Sequence, residues 1–151
     1  SLIRACEDGR DKEARWNMMM ASTEGAMAFS KGLGAVHSMS HALGANQELR
    51  LHHGTLNAVI LPSVLRFNQN HVENKYTRIA RAMGNKVTTD LADEIEKLNE
   101  KIGMPASLSE MDVTEDMIPQ LVAHAANDPS NLTTPRLPSL EEWEKLFLEA
   151  L

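Results

Sequence analysis

Apolar residues in this chain recur at helical spacing, and no stretch alternates with a period of two, so the sequence predicts an all-α fold. Ser1 to Glu7 reads as the tail of a helix with Leu2, Ile3 and Ala5 apolar, and Asp8-Gly9-Arg10-Asp11 as a turn. From Lys12 to about Phe29 a second helix is expected, with Trp16, Met19, Met20, Thr23 and Met27 on one face. A methionine stripe of this kind is usually core, and it is assigned to the core. Gly25 and the small residues Ala21, Ser22, Ala26 and Ala28 would let another helix approach closely. Ser30 to Gly34 then forms a loop into a helix that carries His37 and His41. His53-Gly54 opens a further apolar run, Thr55 to Phe67, and Pro62 inside it predicts a kink or break near Leu61, or a boundary between two helices.

Beyond a loop at Gln69 to Val72, Glu73 to Met83 patterns as a helix with Tyr76, Ile79, Ala80 and Met83 on one face. Thr88 or Thr89 is the expected cap of the next helix, Asp90 to about Ile102, which Gly103-Met104-Pro105 ends. Val113 to Asn127 predicts another, capped by Thr114, with Pro119 in its opening turn. His124 reads as an ordinary surface or core histidine. Asp128 to Pro138 lacks periodicity and is a connector. Ser139-Leu140-Glu141-Glu142 is a capping box opening a terminal amphipathic helix through Trp143, Leu146, Phe147 and Ala150.

Composition narrows the function classes. At 151 residues and 42% hydrophobic the chain is one domain with a single core, spanning 1–151. A net charge of -6 argues against nucleic-acid binding, which needs a basic face. Cys6 is the only cysteine, so no intrachain disulfide can form and a reducing, cytoplasmic setting is expected. No run of about 18 to 20 apolar residues could span a membrane.

Candidate chemistry concentrates between Gly32 and Asn68, which holds four of the six histidines. His37 and His41 stand one helical turn apart, their Cβ atoms roughly 5–6 Å from each other, so one metal ion could reach both. His52 and His53 follow after a polar break and bring imidazoles from a second helix. Gly54 has no side chain to obstruct an ion or substrate. Neutral imidazole is the commonest protein metal ligand. Against this, a histidine pair at i,i+4 also arises as an ordinary surface or core pair, and Asn57 reads equally as a structural residue or as one that bonds substrate.

The string GAVHSMSHALGA followed by HHGTLNAVILPSVLRFN closely resembles the iron-containing alcohol dehydrogenase family, in the helical domain that follows its nucleotide-binding domain. The matching positions are Gly34, His37, His41, Gly44, His53, Gly54, Asn57, Ala58, Leu61, Pro62, Val64, Phe67 and Asn68. The likeness extends upstream through MASTEGAMAF and downstream to Asp128 and Pro135-Arg136, covering essentially the whole chain.

The resemblance implies a helical bundle of the dehydroquinate synthase-like type and a metal-dependent oxidoreductase. It makes His37 and His53 two of four protein ligands of a divalent metal, Fe2+ foremost and Zn2+ as the alternative. His41 would be the catalytic histidine beside the nicotinamide of NAD or NADP, and so also the cofactor-binding residue here. His52 has no assigned role. The family's other two ligands, an aspartate and a histidine four residues apart, are not met before His37, nor is a Gly-rich dinucleotide loop. The chain is therefore expected to be the C-terminal part of a longer, homo-oligomeric dehydrogenase whose N-terminal nucleotide-binding domain lies elsewhere, inactive in isolation. Members of the family it resembles reduce lactaldehyde, oxidise hydroxybutyrate or reduce maleylacetate, and a small alcohol or aldehyde is the expected substrate class. Two alternatives stand beside this reading: a helical interaction module, and a metal carrier using His37, His41, His52 and His53 as one self-contained site.

Overall fold

The computed structural model describes residues 1–72, 74–85 and 90–151. Those residues form eight α-helices joined by loops and short 3-10 turns, with no strand among them, as expected. They are α1 (Leu2–Glu7), α2 (Lys12–Ala28), α3 (Ala35–Gly44), α4 (His53–Asn68), α5 (Lys75–Ala82), α6 (Leu91–Lys101), α7 (Ile118–Ala126) and α8 (Leu140–Ala150). No helix among the described residues is long and apolar enough to cross a membrane.

The core lies where α3, α4, α7 and α8 meet. Met39 and Leu43 of α3, Leu56 and Ile60 of α4, and Trp143 and Phe147 of α8 are all essentially inaccessible to solvent. Fully burying a side chain of this size contributes about 1.5–3 kcal/mol, so this junction dominates the packing of the molecule. The terminal helix starts as its capping box requires: Ser139 Oγ accepts from the Glu142 amide at 3.2 Å, and Glu142 Oε2 accepts from the Ser139 amide at 2.8 Å. Arg136 ties this start to the far end of α4, bonding both Glu142 oxygens and standing 3.9 Å over the Phe67 ring.

Several sequence expectations fail in informative ways. The α2 stripe is not core: Trp16 and Met19 are each 63% exposed and Met27 71%. Its spacing does mark one helical face, but periodicity identifies a face and not its partner, and the core cluster takes no residue from α1 or α2. Nor does another helix approach Gly25 among the described residues, where a Cβ would meet nothing within 4 Å. Ile79 and Met83 are likewise largely exposed, leaving Ala80 as the buried residue of α5. The run from Val113 divides into a 3-10 turn, Glu115–Met117, and α7, with Pro119 in the first turn of α7. Thr114 occupies the cap position but makes no side-chain capping bond. Asp90 caps α6 by accepting from the Ala92 amide, while Thr88 and Thr89 lie outside the described residues, as does Glu73.

No break occurs at Pro62, and α4 runs continuously from His53 to Asn68. Proline cannot donate to the carbonyl one turn back, that of Ala58. Asn99 of α6 supplies the missing donor, its Nδ2 lying 2.7 Å from Ala58 O. Asn99→Leu should therefore cost about 1–2 kcal/mol of stability by orphaning that carbonyl. Adding Pro62→Ala, which restores the backbone N–H, should recover part of the loss in urea denaturation. Strictly additive effects of the two substitutions would contradict the compensation.

Candidate functional site

Two helix beginnings and one connector build the site. Before α3 the chain turns at Gly32, whose φ of 96° suits glycine and where a Cβ would overlap the Thr133 side chain. Thr133 Oγ1 donates to Leu33 O and clamps the two segments together. At α4, His52 is the N-cap: its Nδ1 accepts from the Thr55 amide at 3.3 Å and lies 3.1 Å from Thr55 Oγ1. His53 is consequently the first helical residue.

His37, His41 and His53 come together as a triangle of rings, with centroids 5.7 Å apart for His37 and His41, 5.2 Å for His37 and His53, and 5.5 Å for His41 and His53. Phe29 meets His37 edge-on at 5.9 Å. Asn57, one turn after His53, places its Nδ2 3.2 Å from His53 Nε2 and 3.5 Å from His37 Nε2, so both ring nitrogens converge on one place. His52 is turned away to its capping role. Among the described residues no three His, Cys, Asp or Glu side chains are grouped closely enough to hold a metal ion.

Sequence reasoning gave no role to the residues that orient these rings. Asp128, its side chain only 9% exposed, sets Oδ2 3.0 Å from His41 Nδ1. A carboxylate only accepts, so His41 carries a proton on Nδ1, and in the neutral ring the lone pair is therefore on Nε2. The other oxygen, Oδ1, accepts from the Ser130 amide at 2.8 Å and starts the 3-10 turn Pro129–Thr133. Asn131 fastens that turn: Ser38 Oγ donates to its Oδ1 at 2.7 Å, and its Nδ2 donates to the carbonyls of Ala125 and Ala126. The Asp-Pro and Asn residues of the connector were the available signal, because they favour capped turns.

Residues 1–151 match the model of the Fe-containing alcohol dehydrogenase family, C-terminal part, over their whole length. This chain belongs to the iron-containing alcohol dehydrogenase family. It is 42% identical to 4-hydroxybutyrate dehydrogenase of Cupriavidus necator, over 99% of this chain and 41% of that protein. With lactaldehyde reductase of Escherichia coli (strain K12) it shares 36% identity, over 91% and 38% of the two chains. An alcohol dehydrogenase from Oenococcus oeni superposes with a TM-score of 0.93 at 27% identity, covering 100% of this chain and 41% of that one. The chain thus spans about 41% of the length of the first relative.

In this family member the His37 corner of the histidine triangle borders an apolar groove of about 490 Å³, lined among others by Phe29, Leu33, His37, Asn57, Leu61 and Pro135. A larger hollow of about 860 Å³ lies between α4 and α6, lined by charged residues such as Arg66, Asp93 and Glu96 and by none of the histidines. The smaller groove is the relevant one, since His37 and Asn57 line it. Two converging neutral imidazoles suit a borderline divalent ion such as iron or zinc, and they make an incomplete donor set alone.

Burial lowers the basicity of His37, and the neighbouring His53 and His41 lower it further, outweighing the pull of Asp128. The unfolded chain therefore takes up a proton at His37 first as pH falls. Stability from this group is present above the unfolded value of about 6.5 and is lost as pH drops from there through the folded value. His37→Gln should flatten the decline in unfolding free energy between about pH 7.5 and 5.5. An unchanged decline in urea melts would contradict this role.

Proposed function

We propose that residues 1–151 are the helical, metal-binding domain of a nicotinamide-dependent alcohol dehydrogenase acting on a small alcohol or aldehyde. The observation that carries the reading is the convergence of His37 Nε2 and His53 Nε2 on a single atom of Asn57. Those two nitrogens would hold the metal, Fe2+ by family membership, with Zn2+ acceptable to the same imidazoles. Bound there, the ion supplies the positive charge that polarises an alcohol or carbonyl oxygen. The two remaining ligands and the NAD or NADP phosphate-binding loop would come from outside these residues. 4-Hydroxybutyrate dehydrogenase and lactaldehyde reductase, the relatives described above, support a short hydroxylated or aldehyde substrate.

The chain's own contribution is orientation and proton handling. Phe29, Leu33 and Leu61 offer an apolar surface beside His37 on which a small substrate's carbon skeleton could rest. His41 stands beside both proposed ligands and, with its proton fixed on Nδ1 by Asp128, offers Nε2 to accept a proton from the substrate hydroxyl and return it in the reverse direction. Asp128 acts through His41 as a positioning residue, holding the ring in one tautomer. The nicotinamide cofactor would supply the hydride acceptor or donor, with the protein contributing alignment.

Zn2+ titrated into the 151-residue chain should bind weakly through two imidazoles, and His37→Ala or His53→Ala should each abolish that binding. With NAD or NADP and simple alcohols the same chain should show no turnover. Zinc binding that survives both substitutions, or robust alcohol oxidation by these residues alone, would contradict the proposal.

A further inference from the structure

Asn57 does more than sit beside the two imidazoles, and Ser40 reveals the direction of its hydrogen bonds. The Ser40 hydroxyl donates to the His37 carbonyl at 3.1 Å, so towards His53 Nδ1, 3.4 Å away, it has only lone pairs to offer. Neutral His53, the form that binds a metal, therefore carries its proton on Nδ1 and presents its lone pair at Nε2. The Asn57 Nδ2 group, 3.2 Å away, is the donor to it, and its second hydrogen is available to His37 Nε2 at 3.5 Å. The reversed amide would set oxygen lone pairs against a nitrogen lone pair, so this orientation is the one the network selects. Asn57 Oδ1 faces the other way, buried and without a partner among the described residues.

A lone pair that receives a hydrogen bond cannot bind a metal at the same moment. We propose that the Asn57 amide is a displaceable stopper: it holds His37 and His53 with their lone pairs converged in the metal-free protein, and an incoming divalent cation must push it aside. This inference rests on the reading of His37 and His53 as metal ligands. Because Oδ1 has no partner to lose, turning the amide away costs only the two bonds to the rings. The site is thus preformed, and its affinity is lowered by the group that preforms it.

The test uses the full chain, Zn2+ alone as probe, and imidazole 15N resonances as a second readout. In the metal-free protein His53 should be the Nδ1–H tautomer, and Zn2+ should shift the side-chain amide signals of Asn57. Asn57→Leu, which keeps the volume, and Asn57→Ala should each bind Zn2+ roughly 3- to 30-fold more tightly, the equivalent of one or two released hydrogen bonds. In both variants the metal-free His53 should keep the Nδ1–H tautomer that Ser40 sets, while its Nε2 resonance shifts on loss of the amide donor. Thermal unfolding checks that each variant is folded, and if the leucine variant is not, the alanine variant decides. Unchanged affinity with an unchanged His53 Nε2 resonance would overturn the stopper. A tenfold loss of affinity would also overturn it, making the amide a ligand instead. Either result, with binding still abolished by His37→Ala and His53→Ala, would leave the metal-site reading standing, whereas zinc binding that persists in those two variants would remove the reading itself.

Discussion

The packing of α3 against α4 is the constraint from which the site follows. Met39 and Leu43 on one helix and Leu56 and Ile60 on the other are sealed in the core, which fixes the rotation of each helix about its axis. Once those rotations are set, His37 and His41 on the adjoining stripe of α3 must face the start of α4, where His53 and Asn57 project. The imidazole geometry is thus a consequence of core packing. α7 and α8 back these two helices with Leu121, Ala125, Trp143 and Phe147, so the rigid part of the molecule lies directly beneath the chemistry.

Side-chain hydrogen bonds do the rest, wherever the backbone leaves a group unsatisfied. Asn99 repairs the gap that Pro62 leaves in α4, and Asn131 fastens an irregular connector onto α3 and α7. Each brings a distant segment to a defined place: the first joins α6 to α4, the second carries Asp128 to His41. Burial alone would raise the Asp128 carboxyl, but the Ser130 hydroxyl and amide, together with His41, more than offset it and hold it below the usual carboxylate range. It therefore stays an anionic acceptor under ordinary conditions, which keeps the His41 tautomer fixed.

The order and kind of the helices were legible because their signals are local. Apolar period, the Ser139 capping box and Pro119 at a helix start all act within one turn, and each appears where the sequence placed it. The pairing of His37 with His53 was legible through the family motif, since spacing alone left an ordinary histidine pair equally open. The burial of α2 was misread because Trp16, Met19 and Met27 define a face and carry no information about what opposes it. The roles of Asp128, Ser40 and Asn131 could not be read because their partners are remote or lie across a loop: Asp128 meets a histidine 87 residues away. Such contacts belong to the tertiary arrangement and leave no periodic trace.

X-ray absorption at the zinc edge of the chain loaded with one equivalent of bound Zn2+ tests the central claim most directly. The account predicts two imidazole nitrogens in the first shell, with oxygen donors completing it, and no bound zinc to measure in His37→Ala. Three or four imidazoles, or none, would contradict the two-histidine convergence on which the account is built.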